Sequence, residues 1–224
     1  MTQFSVSAIL FDLDGVLIDS TPSVTRVWSN WALEHGQDPA TVVKIAHGRR
    51  AIETVRLLAP HLDADLELKE LERRELADTE GTLVIPGALQ LLNSIPRNRW
   101  AVVTSGTREL ATLRLSVGGL PVPEKLVSAD DVVLGKPDPS PFLKGAEMLG
   151  FFPETCLVIE DSPSGITAAK AAGMRSLAVP TTYPADELRQ ADVLLKNLAQ
   201  IRIEPVHNGR GDVSRLLVDW DTEK

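Results

Sequence analysis

The sequence predicts an α/β fold with a parallel sheet at its core and an all-helical block inserted after the first strand. After residue 86, short apolar runs alternate with helical lengths of chain, which is the pattern of successive βαβ units. Between about residue 20 and residue 82, no stretch carries the signal of a strand. The 224 residues suit one large domain or a domain with a sizeable insertion.

The first predicted strand ends at two carboxylates. The apolar run Ala8-Ile-Leu-Phe11 leads into Asp12-Leu-Asp14-Gly15, so a buried strand opens into a turn. Alternate strand residues share a side, and active sites of open parallel sheets lie at this edge, so we expect Asp12 and Asp14 to face one cleft. Carboxylates this close repel unless a shared proton or a cation relieves them, which implies a divalent metal, most simply Mg²⁺. An Asp-rich turn that caps a helix is the alternative.

The inserted block is predicted to be helical throughout. Its first helix begins near Thr21-Pro22 and buries one face, because apolar residues recur at positions i, i+3, i+4 and i+7. A second helix is predicted over 49–58, before Pro60, and a third over the charged stretch 63–80. The residues of the buried face of the first helix are Val24, Val27, Trp28 and Trp31.

The remaining strands are predicted from short apolar runs. Cys156 lies in one of them and is expected to be a buried thiol rather than a nucleophile. Turn residues at Asn208-Gly209, followed by an apolar run at 216–218, predict a terminal hairpin at a sheet edge. The predicted strands are 100–104, 125–128, 156–160, 175–179 and 192–195.

Polar residues follow two of these runs, and a lysine lies between them in the chain. Thr104-Ser105-Gly106-Thr107 precedes a predicted helix and offers a hydroxyl and N–H groups to an anion, although an ordinary helix cap explains the same residues. Glu160 and Asp161 can cap the next helix or bind a cation. Lys136 is followed by prolines that pre-set the direction of its ammonium, with a surface turn as the alternative.

The charge of the chain limits its partners. The net charge is −8, from 31 acidic and 23 basic residues, and Lys and Arg form no dense run. Such a chain repels nucleic acid and anionic lipid, so a small-molecule partner is expected. No apolar run approaches the roughly 18 residues of a membrane span, and no signal-peptide pattern precedes the first strand. We therefore expect a cytoplasmic protein with no nucleic-acid or membrane partner.

Taken in order, the polar motifs resemble those of haloacid dehalogenase-superfamily phosphatases. These motifs are Asp12-x-Asp14-Gly15, Thr104, Lys136 and Glu160-Asp161. Residues 28–31, 47–50, 100–107 and 135–137 further resemble bacterial sugar phosphatases and the glycerol-phosphate and 2-deoxyglucose-6-phosphate phosphatases. The resemblance implies a monomer with a Rossmann-like parallel-sheet core over 1–19 and 83–224, and a small helical cap domain over 20–82.

The resemblance also implies a role for each motif residue. Asp12 would attack phosphorus and form an aspartyl-phosphate. Asp14 would protonate the leaving alkoxide and then deprotonate the hydrolytic water. Thr104 and Lys136 would bind the transferring phosphoryl oxygens, whose charge needs positioning and electrostatic stabilisation.

Metal and substrate positions follow from the same resemblance. Mg²⁺ would be held by Asp12, the backbone carbonyl of Asp14 and Asp161, with Glu160 as a further ligand or acting through water. The substrate would be a small phosphorylated sugar or polyol, whose identity the motifs do not specify. The expected substrate-binding residues are Ser105, Gly106, His47, Arg49 and Arg50, and a solvated helix start is the alternative for those of the cap.

Other activities of the same fold fit the motif residues less well than hydrolysis does. A dehalogenase typically lacks the second aspartate, here Asp14, and a phosphonate hydrolase needs a cap lysine in a motif that is not found. The closest rival is a β-phosphoglucomutase-like phosphosugar mutase, but family mutases carry a histidine where Val24 stands. A non-catalytic phosphosugar-binding module would be expected to have lost motif carboxylates, which this chain retains. Hydrolysis is therefore preferred.

Overall fold

The computed structural model describes residues 3–221 and has a six-stranded parallel sheet at its core. The strands are β1 (Gln3–Val6), β2 (Ala8–Phe11), β3 (Ile18–Asp19), β4 (Leu83–Val84), β5 (Trp100–Val103), β6 (Leu126–Val127), β7 (Cys156–Glu160), β8 (Arg175–Ala178), β9 (Val193–Leu194), β10 (Ile201–His207) and β11 (Val213–Trp220). The helices are α1 (Thr21–Glu34), α2 (Pro39–Ala46), α3 (Ala51–Leu58), α4 (Ala64–Ala77), α5 (Ala88–Asn93), α6 (Arg108–Val117), α7 (Ser140–Leu149) and α8 (Pro163–Ala171).

The parallel sheet has the strand order β6-β5-β2-β7-β8-β9. Each strand predicted for it is present, with ends that differ by at most one residue from the apolar runs, and the α/β prediction is confirmed. The first strand, β2, lies near the middle, between β5 and β7. The carboxyl ends of these three strands are therefore neighbours, which determines where the functional side chains meet.

Side chains of β2 alternate between two apolar layers, because successive strand residues face opposite sides of a sheet. Ile9 and Phe11 pack into the larger layer, where the Phe11 ring meets the edge of Trp100 at 6.3 Å between centroids. Leu10 lies on the other side, in the apolar layer that includes Phe142 of α7. All of β2 is buried, which explains why its sequence is an unbroken apolar run.

Helices α1 to α4 form a separate apolar cluster between β3 and β4. The two strands pair antiparallel, with Ile18 opposite Val84, so the chain leaves the sheet region and returns to it side by side. The predicted face of α1 is buried, and the Trp31 indole donates to Glu67 Oε2 at 2.7 Å. The prediction of a helical insertion is confirmed.

The helical insertion contains one more helix than the sequence analysis predicted. Helix α2 was missed, although Asp38 caps it by accepting from Thr41 N and Pro39 opens it. The predicted helix over 49–58 begins at Ala51, and the one over 63–80 spans Ala64–Ala77 after the N-cap Asp63.

The terminal hairpin forms, but not at the edge of the parallel sheet. Strands β10 and β11 pair antiparallel and join β1 in a separate sheet of order β1-β11-β10. Leu216, Val218 and Trp220 alternate along β11 and pack into the larger apolar layer, where the Trp220 ring contacts Phe4. The sequence predicted the hairpin at a sheet edge but not which sheet it joins: β10 is an edge strand of the sheet with β1, and the apolar face of β11 packs into the core.

Cys156 is fully buried at the start of β7, and burial raises its pKa to about 11, as expected for a core thiol. Among residues 3–221, no helix combines the length and apolarity needed to cross a bilayer.

Candidate active site

The carboxyl ends of three adjacent strands bring the predicted motifs together. Asp12 follows β2, Thr104 follows β5, and Glu160 and Asp161 stand at the end of β7. A cavity of about 270 Å³ lies between this edge of the sheet and the helical insertion. Its lining includes residues of both parts, so a bound molecule would touch the sheet edge and helices α1, α3 and α4 together.

Lys136 supplies buried positive charge beside Asp12 and Glu160. Its Nζ lies 2.9 Å from Asp12 Oδ1 and 2.8 Å from Glu160 Oε1, and it donates to Val103 O at 3.0 Å. Burial alone lowers the pKa of Lys136, but the two carboxylates outweigh burial and the net pKa is raised. Burial raises the pKa of Asp12 to about 7, against the opposing effect of Lys136. Lys136 therefore offsets only part of the negative charge of the buried carboxylates.

Glu160 is fixed by protein donors at both oxygens. Oε1 accepts from Lys136 Nζ. Oε2 accepts from Asp161 N at 2.8 Å, Ser162 N at 2.9 Å and Ser162 Oγ at 3.0 Å. The close packing beneath Glu160 requires glycine, because a Cβ on Gly165 would stand 1.7 Å from Glu160 Oε1. Helix α8 thus approaches the end of β7 closely enough to hold this carboxylate in place.

Three carboxylates form a group that fits a metal ion. Oxygens of Asp12, Glu160 and Asp161 lie within 4.8 Å of one another, and all three residues are buried. Burial and then the charges of Glu160 and Asp12 raise the pKa of Asp161. Clustered carboxylate oxygens with too little positive charge nearby suit a hard divalent cation. The Asp14 side chain lies outside this group, so a metal contact from Asp14 would come from its backbone carbonyl, as the resemblance implies.

Asp14 has different partners from Asp12. Its Oδ1 accepts from Ser20 Oγ at 2.6 Å and from Arg114 Nη1 at 2.8 Å. Its Oδ2 lies 3.5 Å from Thr104 Oγ1, a distance at which the contact is weak. One oxygen of Asp14 is thus firmly held, whereas the other has only a weak protein contact.

Arg114 connects Asp14 to the helical insertion. Its Nη2 donates to Glu75 Oε2 at 2.9 Å, and both side chains are more than nine-tenths buried. Burial opposes the charge of Arg114, but Asp14 and Glu75 outweigh it and raise the pKa of the guanidinium. Burial raises the pKa of Glu75, with Arg114 acting in the opposite direction.

The expected phosphate-binding segment lies at the start of α6. Thr104 is buried, and its Oγ1 accepts from Gly106 N at 3.1 Å. Thr107 provides the helix cap by accepting from Leu110 N, so Thr104 is not needed for that purpose. Ser105 Oγ donates to Gly48 O at 3.2 Å and so contacts the helical insertion.

The insertion loop 47–50 lies over the cavity, but its side chains differ in their surroundings. His47 is partly buried, and burial lowers its pKa. Arg49 is exposed at the cavity lining. Arg50 lines the cavity as well, yet its Nη1 donates to Val133 O at 2.7 Å, which ties it to the main body of the protein. Arg49 is therefore the freer of the two arginines to contact a ligand.

Sequence reasoning missed three residues of this site: Ser20, Glu75 and Arg114. The sequence contains a signal for two of them, Arg114 and Glu75. Arg114 lies on the buried face of α6 beside Leu115, and Glu75 lies one turn after the buried Leu71 on α4. A charged residue on an apolar helix face indicates a buried ion pair, although its partner cannot be read from the pattern.

A family model described as haloacid dehalogenase-like hydrolase matches residues 6–173. Hexitol phosphatase A of Escherichia coli is 42% identical over 205 residues, covering 89% of this chain and 95% of that protein. Glycerol-1-phosphate phosphohydrolase 1 of Saccharomyces cerevisiae is 34% identical over 232 residues, covering 97% of this chain and 92% of that protein.

The fold is also shared with solved structures. A β-phosphoglucomutase from Clostridium difficile superposes with a TM-score of 0.76 at 22% identity, covering 88% of this chain and 93% of that chain. This likeness shows a common fold, whereas the relatives with higher identity are phosphatases. The chain belongs to the haloacid dehalogenase-like hydrolase family.

Proposed function

We propose that the protein is a Mg²⁺-dependent phosphatase that hydrolyses small phosphorylated sugars or polyols through an aspartyl-phosphate on Asp12. The observation that carries this proposal is the difference between two nearby carboxylates. Asp12 lies in the buried group with Lys136 and Asp161, whereas Asp14 is held by Ser20 and Arg114 outside that group. Carboxylates with such different surroundings suit a nucleophile and a general acid and base.

In this mechanism Asp12 attacks the phosphorus atom, and the bond from phosphorus to the ester oxygen breaks. Asp14 gives its proton to the departing sugar or polyol oxygen. Asp14 then takes a proton from a water molecule that attacks the phosphorus of the aspartyl-phosphate, which releases inorganic phosphate and restores Asp12. Asp14 Oδ2 supports this exchange because it has only a weak protein contact.

The proposed metal ligands are Asp12, Asp161 and the backbone carbonyl of Asp14. Glu160 would act through water, because both of its oxygens already accept from protein donors. Mg²⁺ bound there supplies positive charge that neutralises the phosphoryl group. The incomplete compensation of the buried carboxylates by Lys136 supports this assignment.

The phosphoryl oxygens would be bound by Lys136, Thr104 and the segment Ser105-Gly106 at the start of α6. Lys136 is buried and charged beside Asp12, so it can stabilise the phosphoryl group as charge shifts during transfer. The buried Thr104 hydroxyl and nearby N–H groups fit the same anion.

The helical cap, proposed as residues 20–82 on a core of 1–19 and 83–224, would select the substrate. The similarity to a hexitol phosphatase and a glycerol-1-phosphate phosphohydrolase supports sugar and polyol phosphates as the substrate class. His47, Arg49 and Arg50 line the cavity from the cap. Val24 also lines it and provides no acid or base, which favours hydrolysis over phosphoryl transfer between sugar hydroxyls. We further propose that the protein is a cytoplasmic monomer without nucleic-acid partners.

A phosphate-release screen tests the proposed function. The purified protein would be incubated with Mg²⁺ and phosphorylated hexitols, hexoses, pentoses and glycerol, and inorganic phosphate would be measured. We expect release from at least one sugar or polyol phosphate. If no phosphate ester is hydrolysed while β-glucose 1-phosphate is converted to glucose 6-phosphate in the presence of its bisphosphate, the mutase alternative replaces this proposal.

A further inference from the structure

We infer that Arg114 is a positioning residue that holds the general acid and base Asp14, and that Glu75 of the cap makes this hold depend on the seating of the cap. The inference rests on the proposed function and assigns a role to two residues that no motif includes. It is carried by one ion-paired chain, which runs from the partly buried Asp14 Oδ1 through the buried Arg114 Nη1 and Nη2 to the buried Glu75 Oε2.

The two oxygens of Asp14 are made unequal by this chain. Oδ1 accepts from Arg114 at 2.8 Å and from Ser20 at 2.6 Å, whereas Oδ2 has a contact of only 3.5 Å, with Thr104. Two donors on Oδ1 favour negative charge there, so a proton on Asp14 resides on Oδ2. Arg114 does not compete as an acid because a guanidinium keeps its proton in proteins.

Proton transfer then follows a defined direction. As the bond between phosphorus and the ester oxygen breaks, the Oδ2 proton moves to that oxygen, and Asp14 becomes a carboxylate still bonded to Arg114 and Ser20. In the second half-reaction Oδ2 takes a proton from the attacking water. Arg114 neither gains nor loses a proton; it fixes the rotation of the Asp14 carboxylate in both steps.

Glu75 makes this arrangement depend on the cap. Helix α6, which carries Arg114, belongs to the main body of the protein, whereas Glu75 lies on α4 of the helical insertion. A guanidinium is a rigid planar fork, so the bond to Glu75 at 2.9 Å sets the angle at which the other nitrogen reaches Asp14. Loss of Glu75 leaves Arg114 with a single carboxylate partner and a less defined angle.

The test measures how strongly the rate depends on the leaving group. A leaving alkoxide needs a proton, whereas a nitrophenolate does not, and kcat/KM reports the step in which the leaving group departs. Arg114→Lys keeps the charge but cannot bridge two carboxylates in one plane. We expect its kcat/KM for the best polyol phosphate to fall by roughly tenfold or more, with a loss below about threefold for nitrophenyl phosphate. The fall should lie mainly in kcat rather than KM.

Matched variants separate positioning from folding. Arg108→Met removes another arginine of α6 that bonds Asp131 and does not line the main cavity, so its ratio of the two kcat/KM values should equal that of the wild type. Glu75→Gln keeps the shape of the cap contact but removes its charge. It should change the ratio in the same direction as Arg114→Lys, by roughly threefold. Thermal melts with saturating Mg²⁺ identify folded variants, and Glu75→Gln alone decides the case if Arg114→Lys does not fold.

An equal loss on both substrates, or no loss, in a folded Arg114→Lys protein overturns the inference. A selective loss in Arg114→Lys with an unchanged ratio in folded Glu75→Gln overturns its cap part. Failure of the proposed function looks different, because the wild type would then release phosphate from neither class of substrate.

Discussion

At the scale of single residues, the site separates the roles of two aspartates by their partners. Asp12 is 4% exposed and its Oδ1 lies 2.9 Å from the Lys136 ammonium. Asp14 shares its Oδ1 between Ser20 and Arg114. Both carboxylates pair with a buried cation, but only Asp12 belongs to the carboxylate group that fits a metal ion, whose charge would reduce its repulsion from an anionic phosphate. In the proposed mechanism, these different neighbours, rather than the residue type, suit Asp12 to attack and Asp14 to proton transfer.

Asp12→Asn tests the proposed nucleophile. It should lower kcat by at least about 10³-fold, because a neutral amide does not form an acyl phosphate. The fold should be retained, since Lys136 keeps Glu160 as its partner. Phosphate release and thermal melting would be measured together, with the exposed turn residue Asp212→Asn as the control. Appreciable turnover by folded Asp12→Asn protein would remove Asp12 from the nucleophile role.

How far sequence predicts this site depends on the range of the contacts. Asp12, Asp14, Glu160 and Asp161 were predicted because each lies at or shortly after the end of a strand and the parallel topology places strand ends together. Arg114 was missed because it bonds a residue 100 positions away and another 39 positions away. No local pattern encodes such a pairing.

At the scale of elements, the approach of α8 to β7 fixes the side-chain carboxylate of Glu160. Ser162 caps the helix by accepting from Gly165 N and also donates to Glu160, so the same turn starts the helix and holds the acid. Gly165 leaves the space that the Glu160 side chain fills.

Gly165→Ala tests this packing. The added methyl would meet Glu160 Oε1 at 1.7 Å, so Glu160 must move and its bonds to Lys136 and Ser162 must break. We expect a loss of about 3 kcal/mol or more in the free energy of unfolding, as when a buried ion pair loses a partner. Denaturant unfolding would measure it. Gly209→Ala, where a Cβ meets nothing within 4 Å, should change stability by less than about 0.5 kcal/mol.

An unchanged free energy of unfolding in Gly165→Ala would show that Glu160 has room to move.

Two elements, the hairpin β10–β11 and helix α2, show what the sequence pattern did not predict. The hairpin β10–β11 was predicted from its turn residues and its apolar run, and it forms. Its position was not predicted, because pairing with β1 joins the two ends of the chain and leaves no signal in either segment alone. Helix α2 has only 8 residues, too few for a clear apolar period, so its cap at Asp38-Pro39 was its main signal.

At the scale of the whole molecule, several contacts hold the helical insertion against the main body. Arg50 bonds Val133 O, and Glu53 accepts from Gly135 N at 3.0 Å, next to Lys136. Gly48 O accepts from Ser105 and from Ser164. The insertion therefore touches the segments that carry the proposed phosphate-binding and metal-binding residues, and it lines the cavity together with them.

Arg49→Ala and Arg50→Ala form a matched pair that separates ligand contact from cap contact. Arg49 is exposed at the cavity, so its loss should change the order of preference among sugar phosphates, with little change on nitrophenyl phosphate. Arg50 bonds Val133 O, so its loss should raise KM for every substrate. Steady-state kinetics on three sugar phosphates and one aryl phosphate measure both effects. Equal losses on all substrates in Arg49→Ala would exclude it from selecting the substrate.

Removal of the metal tests the whole buried carboxylate group. Activity should vanish in a chelator and return with added Mg²⁺, because Lys136 alone does not compensate Asp12, Glu160 and Asp161. Asp161→Ala should raise the Mg²⁺ concentration needed for half activity by roughly tenfold or more while the melting temperature without metal changes little. Full activity after thorough chelation would exclude the proposed metal.

The most direct test of the account is to trap the phosphoryl group on Asp12. In Asp14→Asn, an aryl phosphate can still phosphorylate Asp12 because its leaving group needs no proton, but the intermediate lacks the base for hydrolysis. After acid quenching, we expect close to one phosphoryl group per folded protein, located by peptide mass spectrometry on the segment that contains Asp12. Phosphate release without any phosphorylated Asp12, or a phosphoryl group on another residue, would contradict it.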